Sequence, residues 1–144
     1  MKIIAIVICL SMSFGVGMPF SYAESNYTPP EQSKEELYQD IFVSLLMPHI
    51  EKAVDNYYKD FLTESPTVYP YFVDVLTAER IQGYRSFDFL VKLKVVPVVG
   101  PHIGVGIDHL TFRIGGTGTV EMTKFQHIKT FELPAHWKRI MKYR

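Results

Sequence analysis

The apolar residues change their spacing along the chain, from a helical period in residues 33–62 to alternation in residues 70–131. A period near 3.6 places apolar side chains on one face of a helix, whereas a period of 2 places them on one face of a strand. Because the helical pattern comes first and the alternating patterns follow it, the sequence predicts an α+β fold. In this fold the helical segment covers one face of an antiparallel sheet.

The helical segment has a clear start and an interruption. Ser33 followed by Glu36 forms a capping box, which satisfies backbone N–H groups in the first turn. Pro48 lacks the N–H that would bond to the Ser44 carbonyl, so we expect a kinked helix or a helix pair there. The apolar stripe consists of Leu37, Ile41, Phe42, Leu45 and Leu46, and it continues through Ile50, Ala53, Val54, Tyr57 and Phe61 to about Leu62.

Alternating residues predict an antiparallel meander of about four strands, in a cystatin-like or NTF2-like arrangement. The predicted strands span about residues 70–80, 87–95, 110–114 and 120–131. Residues 99–108 contain three glycines and a proline, which favours a shaped loop or a bulged strand. Gly115–Gly118 predicts a hairpin turn, and the change of phase after Met122 predicts a bulge near Thr123 and Lys124.

The first 23 residues have the pattern of a secretory signal peptide: Lys2, an uncharged apolar run, and Ser21-Tyr22-Ala23 as a cleavage site. The alternative is an uncleaved membrane anchor, for which the apolar run is short. Cleavage would remove Cys9, so the remaining 121 residues would form no disulfide. The predicted organisation is a signal peptide at 1–23, a linker at 24–33, a single α+β domain at 34–138 and a basic tail at 139–144, and no transmembrane segment follows cleavage.

The formal net charge is zero, which argues against a nucleic-acid partner, but the two halves differ strongly. Residues 24–80 contain eleven acidic and four basic residues, and residues 81–144 contain four acidic and ten basic residues. The net charges are therefore −7 and +6. Either an acidic element packs beside a basic one, or a basic face binds an anionic partner such as a wall polymer or a lipid headgroup.

The sequence contains no phosphate-binding, dinucleotide-binding, zinc-protease or serine-hydrolase motif. Two other sets of residues remain as candidates for a site. If positions near 102 lie opposite positions near 129, then His102, Asp108 and His127 come together as a metal-binding or acid–base set. The alternative is that these histidines bond to the backbone of an irregular loop. Lys92, Lys94 and Arg113 form a basic stripe, which serves either anion binding or solubility. No cofactor is predicted, and the sequence does not identify a metal.

Several short segments along the chain carry a family resemblance: Pro48–Ala53, Tyr57-Tyr58, Val99–Asp108, Thr111-Phe112, Phe125–Lys129 and Glu132–Pro134. Together they resemble a family of small exported proteins of Bacillus-like bacteria, the domain of unknown function 3888. The resemblance covers about residues 34–138 and implies a single domain outside the cytoplasm; it carries over no catalytic residue. It directs attention to Gly100, Pro101, His102, Gly106, Asp108 and His127.

Three functions are compatible with these features. The leading hypothesis is a secreted or envelope-associated binding module without enzymatic activity, whose partner is a cell-envelope component or another protein. The alternative is a small metal-binding protein or enzyme that uses His102, Asp108 and His127. The third is an inhibitor or immunity-type protein.

Overall fold

A computed structural model describes residues 28–142, so the predicted signal peptide lies outside the described residues. Helix α1 spans Lys34–Tyr58. The hydroxyl of Ser33 accepts a hydrogen bond from the Glu36 N–H at 3.1 Å, and the Glu36 carboxylate accepts one from the Gln32 N–H at 2.5 Å. The predicted helix start is therefore confirmed.

Helix α1 is one element of 25 residues that contains Pro48 in its interior, so the alternative of a helix pair is wrong. It ends at Tyr58, before the predicted end near Leu62. The chain then turns, because the N–H groups of Phe61 and Leu62 both bond to the Tyr58 carbonyl, at 2.9 and 2.8 Å. None of the helices within residues 28–142 combines the length and the apolar character needed to cross a membrane.

The strands that follow the helix are β1 Val73–Arg80, β2 Phe89–Val95, β3 Val98–Val99, β4 Ile103–Gly104, β5 Gly106–Ile114 and β6 Val120–Thr130. Four of them form an antiparallel sheet in the order β1-β2-β5-β6, which confirms the α+β prediction. A two-stranded hairpin, β3-β4, is inserted between β2 and β5. The cystatin-like or NTF2-like arrangement stays a prediction.

The core lies between α1 and one face of the sheet. Val91 and Leu93 of β2 and Leu110 and Phe112 of β5 are at most 2% exposed. The lysines of β2 alternate with these buried positions and therefore lie on the opposite face. The helix contributes Val43, Leu46, Ile50, Ala53, Val54 and Tyr58 to the core.

Part of the predicted helical stripe is wrong, because Leu37, Ile41 and Leu45 are 55%, 49% and 73% exposed. These three residues form a row at spacings of four, and the next position in the row is the exposed and polar His49. The neighbouring row is apolar along its whole length and packs on the sheet. Its members, Leu46, Ile50 and Val54, are at most 2% exposed.

Two bulges in β6 determine which of its side chains face the core. Thr111 pairs with Lys124 and Phe112 pairs with Met122, so Thr123 is extra, which confirms the predicted bulge. Closer to the end of the strand, Ile107 pairs with Lys129 and Asp108 pairs with His127, so Ile128 is extra. Because one inserted residue exchanges the two faces of a strand, the Thr123 bulge places His127 on the same face as Asp108, and the Ile128 bulge places Thr130 on that face.

The predicted basic tail is described as far as Lys142, and its first residues pack against the end of α1. Ile140, the last residue of a short 3-10 helix at Ala135–Ile140, is 1% exposed. Its carbonyl accepts the Thr63 N–H at 2.8 Å, and the Lys142 N–H donates to the Phe61 carbonyl at 2.8 Å. These contacts close one end of the helix–sheet core.

Candidate functional site

Asp108 is the one charged residue that is fully buried among the described residues, with 0% exposure. Its two carboxylate oxygens have separate partners. Oδ2 accepts a hydrogen bond from the Tyr58 hydroxyl at 3.0 Å, and Oδ1 lies 2.7 Å from Nδ1 of His127. Tyr58 comes from α1 and His127 from β6, so this buried carboxylate joins the helix to the last strand.

His127 connects Asp108 to a hydroxyl group at the surface. Its second ring nitrogen, Nε2, lies 2.7 Å from Oγ1 of Thr130, an exposed residue at the end of β6. A carboxylate only accepts hydrogen bonds, so Nδ1 carries the ring proton that bonds to Asp108. In the neutral ring Nε2 is then an acceptor, and the Thr130 hydroxyl donates to it.

Burial controls the ionisation of the cluster. Burial raises the pKa of Asp108, and the hydrogen bonds from His127 and Tyr58 oppose this rise because they stabilise the carboxylate. Burial also raises the pKa of Tyr58, and the negative charge of Asp108 raises it further. Tyr58 therefore stays a neutral hydrogen-bond donor at physiological pH.

Stacked aromatic rings hold the imidazole in place. The Tyr57 ring lies nearly parallel to the His127 ring, with an interplanar angle of 22° and 5.3 Å between the ring centres. The same ring stacks on Phe125, at 4.7 Å and 22°. Since one face of the imidazole is covered and Nδ1 is bonded to Asp108, the orientation of Nε2 toward Thr130 is fixed.

Gly106 allows these groups to approach one another. A Cβ atom at this position would lie 2.5 Å from the Lys129 carbonyl oxygen, 2.8 Å from the Tyr58 hydroxyl and 2.9 Å from Cε1 of His127. All three distances are shorter than van der Waals contact. The site therefore requires glycine at the first residue of β5 for steric reasons.

A pocket of about 160 Å³ opens beside His127 and Thr130. We call it the aromatic pocket, because tyrosine and phenylalanine rings form much of its wall. The hydroxyl of Thr130 and the edge of His127 supply polar atoms in a surface that is otherwise mainly apolar. Its other lining residues are Tyr57, Tyr58, Phe61, Leu62, Val105, Phe131, Leu133 and Met141.

The predicted histidine set is only partly brought together. The prediction that positions near 102 lie opposite positions near 129 is wrong, because Lys129 pairs with Ile107. The β3-β4 hairpin turns the chain back on itself before β5 begins, so His102 lies at the hairpin turn, with φ 62°. There its Nε2 lies 3.2 Å from the Tyr71 hydroxyl.

The predicted basic stripe lies on the sheet face opposite α1, where Lys94 and Arg113 contact carboxylates. Nζ of Lys94 lies 2.7 Å from Asp74. Arg113 makes two hydrogen bonds to Asp88, at 2.9 and 2.5 Å, beside an open depression of about 530 Å³. Lys92 lies between them, on strand β2. Anion binding by these three residues stays a prediction.

A metal site is not present in the described part of the chain. Residues 28–142 contain no group of three or more His, Cys, Asp or Glu side chains arranged to hold a metal ion. The acid–base part of the prediction concerns Asp108 and His127, which are in direct contact. The structure adds two residues to this pair, Tyr58 and Thr130, which the sequence does not indicate as site residues. The pattern around Tyr58 predicts packing alone, and Thr130 carries no signal except that it follows His127 by three residues.

The six positions to which the family resemblance directs attention fall into two groups. Gly106, Asp108 and His127 belong to the cluster beside the aromatic pocket. Gly100 and His102 lie in the β3-β4 turn, where both have positive φ, and Pro101 lies between them. A Cβ atom at Gly100 would overlap the Trp137 ring, so this second group packs against the 3-10 helix.

The comparisons with known proteins identify a family of unknown function. A family model described as a protein of unknown function (DUF3888) matches residues 38–129, which include α1 from Tyr38 onward and nearly all of the sheet. No curated protein and no solved structure matches the chain.

Proposed function

Because the chain belongs to the DUF3888 family of proteins of unknown function, we propose a function from the site itself: an exported domain that binds an envelope component in the aromatic pocket. One observation carries the proposal. An exposed hydroxyl, held by a partly exposed histidine that is bonded to a buried aspartate, lies at the edge of a small apolar pocket. Pockets that combine apolar walls with a few fixed polar groups are typical of ligand-binding sites.

The size of the pocket limits the ligand. An apolar cavity of roughly 150 Å³ holds one benzene molecule, so a pocket of about 160 Å³ takes a single ring or a short alkyl chain. The Thr130 hydroxyl donates a hydrogen bond to His127, so its oxygen lone pairs are available to accept a hydrogen bond from the ligand. The ligand group that fits is a short acyl or aryl group attached to a carbonyl, with an amide N–H or a hydroxyl that donates to Thr130.

Binding is tested with hexanamide, which carries a short alkyl chain and an amide but is stable to hydrolysis under mild conditions. Two-dimensional NMR of the purified protein should show saturable shifts at Thr130, His127 and Tyr57, with a dissociation constant in the millimolar range. A ligand of this size has few atoms with which to gain affinity. Thr130→Val should weaken binding, because it removes the hydroxyl and keeps the shape.

Thr117→Val is the matched control, since Thr117 is an exposed residue of the β5-β6 hairpin. It should leave the hexanamide titration unchanged. Shifts that are spread over the surface, or that are equal in both threonine variants, would contradict binding in the aromatic pocket.

Export is supported by the signal-peptide pattern of residues 1–23. Cells that produce the full chain should release a form that begins near Glu24, as measured by intact mass. A full-length chain that stays in the membrane fraction would instead favour the anchor, and a full-length chain in the cytoplasm would contradict export.

A further inference from the structure

The geometry points to a catalytic function of the aromatic pocket: hydrolysis of short-chain or aryl carboxylic esters, with Thr130 as the nucleophile, His127 as its general base and Asp108 as the positioning residue. This inference rests on the proposed function, because it names the substrate class of the same pocket. It depends on a continuous chain of contacts, from the buried carboxylate through the imidazole to the exposed hydroxyl.

The order and the distances of these groups match those that nucleophilic catalysis requires. A hydroxyl nucleophile needs a base within about 2.6–3.2 Å, and the base needs a third group that fixes its orientation. Both contacts are 2.7 Å here. The chain order of Asp, His and hydroxyl residue differs among unrelated hydrolases, so the roles are recognised from geometry.

Access and burial are distributed as the reaction demands. Asp108 is 0% exposed, the His127 side chain is 22% exposed, and Thr130 is exposed at the edge of the pocket. The carboxylate is therefore shielded from water, whereas the hydroxyl is open to a substrate. An acyl chain in the aromatic pocket would bring its carbonyl carbon to Oγ1 of Thr130, because Thr130 lies at the boundary between pocket and solvent.

The reaction has two halves and consumes one water. Oγ1 of Thr130 attacks the ester carbonyl while Nε2 of His127 takes the hydroxyl proton. The bond from carbonyl carbon to alkoxy oxygen then breaks, and His127 returns the proton to the departing alcohol. Water attacks the acyl-threonine ester, His127 accepts the water proton and returns it to Oγ1, and the carboxylic acid leaves.

The expected rate is modest. A positioned general base contributes about 10²- to 10⁴-fold. A complete serine hydrolase gains a further factor of about 10² to 10³ from each donor of its oxyanion hole. We therefore expect the rate constant to exceed that of a variant without the nucleophile by at least about 10²-fold.

The test compares three forms of the protein, purified in whichever processed form the cells yield, with 4-nitrophenyl butyrate as the substrate. Thr130→Val should lower kcat/KM at least about 10²-fold. Thr130→Ser should retain activity, because it keeps the hydroxyl. Thr130→Val leaves His127 and the other histidines in place, so it preserves the background hydrolysis that surface imidazoles cause. Equal rates for wild type and Thr130→Val would overturn the catalytic proposal.

A covalent probe provides a second measurement. An alkyl phosphonate with a 4-nitrophenol leaving group should add one phosphonyl group to wild type, and peptide mapping should locate it at Thr130. Thr130→Val should remain unmodified. Modification at another residue, or no modification, would overturn the role of Thr130 as nucleophile.

The role of Asp108 as a positioning residue is tested with Asp108→Asn, measured for kcat and KM separately and across pH. A correctly folded variant should keep KM, lose kcat and show a changed pH profile, because asparagine does not hold the same imidazole tautomer. If this variant does not fold, the threonine variants still decide the proposal.

The outcome separates catalysis from binding. Hexanamide shifts without Thr130-dependent hydrolysis would leave the binding function in place and overturn catalysis. Thr130-dependent hydrolysis without shifts in the pocket would support catalysis and contradict the assigned binding pocket. The absence of both would overturn both.

Discussion

Asp108 and His127 lie opposite each other on β5 and β6, with 2.7 Å between Oδ1 and Nδ1, because Thr123 is extra in the register between this pair and the β5-β6 turn. Without that bulge, the register of Phe112 and Met122 would continue and place Gln126 opposite Asp108. The imidazole would then lie on the other face of the sheet, since adjacent strand residues point in opposite directions. One inserted residue therefore assembles the polar cluster, and Tyr58 joins it from the last turn of α1.

Replacement of Tyr58 by phenylalanine removes the hydrogen bond that α1 donates to the buried carboxylate of Asp108. Because Oδ2 of Asp108 then has no donor from α1, the free energy of unfolding should fall by about 1–3 kcal/mol. Urea unfolding followed by circular dichroism measures this difference. The matched control is Tyr57→Phe, which keeps the stacked ring on His127 and should change stability much less. Equal losses would contradict a specific role for the Tyr58 hydroxyl.

Neighbouring leucines of α1 provide a test of which helical face is buried. Leu46 is 2% exposed and Leu45 is 73% exposed. Leu46→Ala should lower the free energy of unfolding by about 2–5 kcal/mol because it leaves a cavity. Leu45→Ala should change it by no more than about 0.5 kcal/mol. The two variants have the same chemistry and differ only in position, so a reversed order of stabilities would contradict the packing of the helix.

The sequence predicts this fold because each half has a single strong period. Leu93 and Val95 alternate with lysines, and strand β2 lies where this alternation predicts it. The helix presents two adjacent apolar rows, and only packing against the sheet decides that Leu46 is buried rather than Leu45. Local spacing does not distinguish the rows, since both repeat at three and four residues.

The site is harder to predict because it depends on register. Asp108 and His127 are recognisable in the sequence as chemically suitable residues, but the β3-β4 hairpin, which keeps His102 away from them, is not. A two-residue strand leaves almost no periodic signal. Thr130 belongs to the site because it follows the bulge at Ile128, which the sequence does not predict.

The ion pair between Arg113 and Asp88 predicts a dependence of stability on pH. Hydrogen bonds from the guanidinium lower the pKa of Asp88 below its ordinary value. The folded state then binds fewer protons than the unfolded state near that pKa. The pair's contribution is present above about pH 4, the unfolded pKa, and is lost as the pH falls through the folded pKa.

Arg113→Gln should therefore be less stable than wild type at pH 7, and this difference should shrink as the pH falls below about 4. Urea unfolding at a series of pH values measures it. Lys124→Gln is the control for net charge, because Lys124 is exposed on the neighbouring strand β6 and the substitution removes the same charge. A constant difference between wild type and Arg113→Gln at all pH values would contradict the role of Asp88.

Gly106 lies where the β5-β6 ladder and the side chains of the polar cluster both come close to its Cα atom. A methyl group there would meet the Lys129 carbonyl oxygen at 2.5 Å, and this backbone atom belongs to the β5-β6 ladder. Gly106→Ala should lower the free energy of unfolding by about 1–3 kcal/mol because strands or side chains must move apart. It should also displace His127, so the low-field NMR resonance of the Nδ1–H bonded to Asp108 should shift or vanish.

Gly104→Ala is the matched control, since its methyl group would meet only side-chain atoms of Phe131 and Val96, at 3.0 Å or more. That variant should lose less stability and keep the resonance; an unchanged resonance in Gly106→Ala would show that the cluster does not need this close approach.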